Sequence, residues 1–107
     1  MTYVDVSEEI DRLVSLIVAE VHPLRVVLFG SAARGSMTSD SDIDLLVVVP
    51  DGTHRLRTMQ QLYGRIRGIT LPFDVLVATV SDIDARRDTP GLVYREALRD
   101  GKELYAA

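Results

Sequence analysis

Segments with the three-to-four-residue spacing of a helix alternate with short apolar runs along this chain, and the alternation implies a sheet covered by helices. Ile10, Leu13, Val14, Ile17, Val18 and Val21 share one helical face. Asp5 or Ser7 can cap its start, Glu8 and Glu9 suit the first turn, and Pro23 marks the end. Arg25 to Phe29 reads as a short buried strand stopped at Gly30, and a small-residue, polar stretch follows to Ser41. A second strand runs from about Asp42 to Val49 and closes at the turn signal Pro50-Asp51-Gly52. Leu56, Met59, Leu62 (or Tyr63) and Ile66 predict a second helix ending near Gly68, and Phe73 to Thr79 predicts a third strand. Ser81-Asp82-Ile83-Asp84 resembles a capping box and predicts a short helix. Thr89-Pro90-Gly91 breaks the chain before a last helix, Leu92 to Asp100, stopped by Gly101. Leu104-Tyr105 adds a short edge strand. The expected class is α/β; the order of elements is legible here, the strand directions are not.

With 107 residues and neither repeat nor linker, residues 1–107 are expected to form one domain. The absence of cysteine excludes disulfides, thiolate zinc sites and a cysteine nucleophile. His22 and His54 are too few for a histidine-rich metal cluster, so a catalytic metal must be held by oxygen. A formal net charge of −4 argues against broad nucleic-acid binding but not against one nucleotide at a local site. The N-terminal residues lack the pattern of a secretion signal, and the apolar run Leu45 to Val49 is far too short to span a bilayer, so no membrane association and a cytoplasmic location are expected.

Three features carry chemistry. Asp42-Ile43-Asp44 opens an apolar strand, and residues two apart on a strand point to one face, roughly 6 to 7 Å apart along the backbone. A divalent cation bound by oxygen relieves the repulsion of such a pair. The same pattern also fits a turn end at Asp42 and a solvated strand edge at Asp44. Asp74 shares a strand face with Leu76 and Ala78, opposite Phe73, Val75 and Val77. It either faces water on an edge strand or supplies a third carboxylate to a two-metal site suited to in-line phosphoryl displacement. Gly30-Ser31, directly after a strand, lets a phosphate approach backbone N–H groups and the Ser31 hydroxyl, with Arg34 as a further charge-assisted contact. No Gly-Lys-Ser/Thr follows, so this is not a Walker loop.

Taken together, Leu28-Phe29-Gly30-Ser31-Ala32-Ala33-Arg34-Gly35, then Ser41-Asp42-Ile43-Asp44-Leu45, then Asp74 on the next strand resemble the signature of the DNA polymerase β-like nucleotidyltransferase superfamily. The similarity is greatest to the minimal nucleotidyltransferase (MNT) family, and the tail from Pro90 to Tyr105 also resembles that family's ending. The likeness covers nearly the whole chain. Its one departure is Ala32, where relatives often carry an arginine that contacts phosphate. The resemblance implies an α+β fold with a small mixed sheet and flanking helices. It implies that Asp42, Asp44 and Asp74 bind metal and are catalytic, with two Mg2+ ions, and that Gly30, Ser31 and Arg34 hold the triphosphate. It further implies transfer of AMP from ATP to a tyrosine of a HEPN-family toxin, the chain acting as antitoxin. Two other functions compete with it: a non-catalytic antitoxin acting by contact alone, and a transferase for a small molecule or RNA. Transferases of the latter kind generally carry extra substrate-binding regions, for which the length leaves no room.

The remaining polar residues have plainer expected roles. His22 lies at a helix end, and His54 is expected on the surface at the start of the second helix. Arg55, Arg57, Arg65 and Arg67 read as a solvated basic face, with a phosphate or partner contact as the other option, and Arg86-Arg87 is equally ambiguous. Tyr3, Tyr63, Tyr94 and Tyr105 are expected in packing, with self-modification as the competing role.

Overall fold

The computed structural model describes residues 6–33, 42–86 and 93–107. Helix α1 (Val6–Val21) packs Leu13 and Ile17 fully inside and ends where His22 adopts a left-handed conformation, its N–H donating to the Val18 carbonyl at 3.0 Å. Strand β1 (Arg25–Phe29) leads into the single turn α2 (Gly30–Ala33). Strand β2 (Ile43–Val49) is followed by α3 (Arg55–Arg65), β3 (Phe73–Thr79), α4 (Val80–Arg86), α5 (Val93–Asp100) and β4 (Lys102–Ala106). The first three expected strands fall where the apolar runs put them, save that Asp42 lies just outside β2, and the last is longer than Leu104-Tyr105, starting at Lys102.

The strands form one mixed sheet in the order β3-β2-β1-β4. β1 runs antiparallel to β2 and β4, and β2 runs parallel to β3. Both faces are covered, which explains why β2 is buried along nearly its whole length rather than alternating. Leu13 and Ile17 of α1 and Leu62 of α3 pack on Val26, Leu28, Ile43, Leu45, Val47, Val75 and Val77. Ile83 of α4 and Ala97 of α5 pack on Val27, Phe29, Leu46, Val48 and Ala78. Among the described residues no helix is long and apolar enough to cross a membrane.

Several local expectations are corrected. Helix α3 stops at Arg65, and Ile66 is extended rather than helical. Leu56, expected in its core stripe, is 61% exposed, while Thr58 is buried instead. His54 does lie exposed at the start of α3, as expected, and caps it: its Nδ1 accepts the Arg57 N–H at 3.2 Å. The capping box of α4 lies two residues earlier than expected. Thr79 Oγ1 accepts the Asp82 N–H at 3.2 Å and Asp82 Oδ2 accepts the Thr79 N–H at 3.0 Å. Ser81 instead donates its N–H and hydroxyl to Asp51 in the β2–α3 turn, at 2.9 and 2.6 Å. Gly101 separates α5 from β4, and a Cβ there would meet the Ala97 carbonyl and come within 2.6 Å of Val27 Cγ1, so a close approach requires the glycine. Thr89-Pro90-Gly91, Leu92 and Asp5 lie outside the described residues.

Candidate active site

The parallel pairing of β2 with β3 brings two distant aspartates together. Asp44 and Asp74 are direct partners in the register, so their side chains leave the same face from neighbouring strands about 4.8 Å apart. That face also carries Leu46, Val48 and Ala78 and lies on the α4/α5 side. Asp44 is half-buried and Asp74 exposed. Among the described strands β3 lies at an edge, so Asp74 faces water, as one of its two expectations had it, and the register sets it beside Asp44. Asp42 is exposed, two residues upstream of Asp44.

The phosphate-binding candidates approach from β1. Phe29 pairs with Asp44, which places Gly30 against the Asp44 carboxylate. Gly30 has φ +73°, and a Cβ on it would collide with Asp44 Oδ2 and stand 3.4 Å from its Cγ. The positive φ favours glycine there, and any larger residue would also have to turn the Asp44 carboxylate aside. Ser31 follows in α2, with its backbone in the helical turn; its side chain, like Arg34, lies outside what the structure describes.

Tyr63 packs as the sequence led one to expect, its ring stacked on Phe73, but its hydroxyl also makes contacts that the sequence did not show. Its hydroxyl donates to Asp74 Oδ1 at 3.1 Å and accepts the Val75 N–H at 2.9 Å. Burial pushes its phenol above the ordinary value, so the hydroxyl keeps its proton and acts as a donor at neutral pH. The sequence signal was slight: a tyrosine on a helix whose stripe allowed either Leu62 or Tyr63 inward.

The donor set suits a hard cation. It offers carboxylate oxygens without thiolate, and His54 is committed to capping α3. Among the described residues no three carboxylate or imidazole side chains come close enough to form a cage of their own. Magnesium does not need one, because it binds through one or two carboxylates together with substrate phosphates and water. A groove of about 510 Å³ lies farther along β3, lined by Thr53, His54, Arg55, Leu56, Met59, Leu76 and Val77, and includes none of the three aspartates.

The profile of the nucleotidyltransferase domain family matches residues 7–102, a span that holds the strand–Gly-Ser turn and all three aspartates. The chain belongs to that family. This nucleotidyltransferase is 29% identical over 80 residues to a putative protein adenylyltransferase of Methanocaldococcus jannaschii, covering 75% of this chain and 79% of the relative. Its fold resembles the crystal structure of a putative nucleotidyltransferase from Sulfolobus solfataricus, with TM-score 0.63, 24% identity, and 92% and 78% of the two chains covered. It also resembles a toxin–antitoxin crystallised with AMP-PNP, with TM-score 0.62, 20% identity, and 91% and 73% covered. The expected minimal nucleotidyltransferase and its mixed, helix-flanked sheet agree with these findings.

Proposed function

We propose that this nucleotidyltransferase moves AMP from ATP to a hydroxyl on a partner protein, with Asp42, Asp44 and Asp74 holding magnesium. The observation that carries the reading is the adjacency of Asp44, Asp74 and the bare Gly30 Cα at one end of the sheet. Magnesium bound there supplies charge neutralisation on the triphosphate. Gly30 leaves room for the phosphates, and Ser31 and Arg34 are the candidates to hold them. Asp74, at the exposed edge, would accept the proton of an incoming hydroxyl. The acceptor oxygen then bonds to the α-phosphorus and pyrophosphate departs, with most of the rate supplied by positioning and charge.

A protein acceptor is favoured by the kinship with a putative protein adenylyltransferase and by the exposure of Asp74. Likeness to the toxin–antitoxin fold is consistent with a toxin partner, here a HEPN-family protein modified on tyrosine, and with an antitoxin role for this chain in the cytoplasm. The test is co-expression with a candidate HEPN-family partner, followed by intact-mass measurement. The partner should gain AMP units that disappear when Asp44→Asn is used. A partner neutralised at unmodified mass would replace transfer with inhibition by contact.

A further inference from the structure

Tyr63 contacts three consecutive residues of β3. Its ring, on the α1/α3 side of the sheet, stacks on Phe73 with centroids 5.6 Å apart and planes 12° from parallel. Its hydroxyl meets Val75 N–H and Asp74 Oδ1 at the open edge of the strand. The stack fixes the ring plane and the Val75 N–H occupies an oxygen lone pair, so the phenolic proton is directed at the carboxylate. An exposed aspartate without such a partner samples several rotamers.

We propose that Tyr63 is a positioning residue for Asp74, holding Oδ1 so that Oδ2 is presented to the cation and the acceptor hydroxyl. The proposal rests on the reading of Asp74 given above. Outer partners of metal-binding carboxylates commonly set metal affinity or activity by about 10- to 100-fold.

Tyr63→Phe keeps the stack and removes the hydroxyl, and water can replace it at Val75 because Tyr63 is 41% exposed. The magnesium dependence of two signals is measured: binding of a fluorescent ATP analogue, and AMP transfer. The expected result is a magnesium half-saturation raised about tenfold in both, with the KM for ATP at saturating magnesium unchanged. Partial unfolding would lower the amplitude of either signal and leave the half-saturation where it was. Asp74→Asn, run in parallel, should shift the half-saturation at least as far. A shift in Asp74→Asn without one in Tyr63→Phe overturns the positioning role and leaves the transferase reading standing. No shift in either variant removes Asp74 from the metal site, and the inference falls with it. The chain's own mass should be unchanged after incubation with ATP and magnesium; AMP found on Tyr63 would make its hydroxyl an acceptor and overturn the proposal.

Discussion

A single methyl group at residue 30 would stand in the space of Asp44 Oδ2, on a backbone already at φ +73°. Gly30→Ala should therefore cost about 1–3 kcal/mol of stability, from a left-handed alanine and a displaced carboxylate together. Activity should fall further than the lost folded fraction explains, which thermal melts and transfer assays on the same preparation will separate. Which glycine matters was visible in the sequence, because Gly30 ends an apolar run and precedes Ser31. Why it matters was not, since the collision is with a residue fourteen positions away that the sheet register brings alongside. Tyr63 and Asp74 show the same limit. Each was legible as a residue type, but their meeting depends on α3 lying against the edge of β3.

At the scale of elements, α1 holds the segment that delivers Asp74. Glu9, 5% exposed, accepts the N–H of Thr70 at 2.7 Å and its hydroxyl, and Arg12 donates to the Gly68 carbonyl at 3.0 Å. The Thr70 hydroxyl and N–H hold the Glu9 carboxyl below its ordinary 4.5. Asp82 and Asp51 are lowered likewise, Asp82 by the N–H of Thr79 and then its hydroxyl, Asp51 by the hydroxyl of Ser81 and then its N–H. A depressed folded value gives stability that is present in full above the unfolded value and lost as pH falls through the folded one. Glu9→Gln should consequently flatten the loss of melting temperature between about pH 6 and about pH 3 without removing it, because Asp51 and Asp82 remain. A profile as steep as that of the unaltered chain would mean the clamp does not contribute. The strands were legible as apolar runs, but this clamp was not: Glu9 also satisfied the simpler role of an acidic first-turn residue. The capping box moved for a related reason, since Thr79 looked like the end of a strand and serves the helix as well.

At the scale of the whole molecule, the sheet is ordered so that β1 has neighbours on both sides only when β4 is in place. Val26, Val27, Leu28 and Phe29 are all buried, so an uncovered β1 would present an apolar edge. Removing residues 102–107 should broaden the thermal transition and promote association, read as rising light scattering below the melting temperature of the full chain. Class and element order followed from the alternation of helical and strand patterns, whereas the mixed strand directions did not, because apolar runs of five and seven residues look alike in either direction. The pairing of β1 with β4 also has a consequence in time. Residues 25–28 must wait for residues 102–106 before their second edge is sealed, so the last segment to leave the ribosome among these elements is the one that closes the sheet. A chain being synthesised would pass through an interval with the carboxylate strands already made and that edge still open, an interval in which a chaperone would hold it most readily.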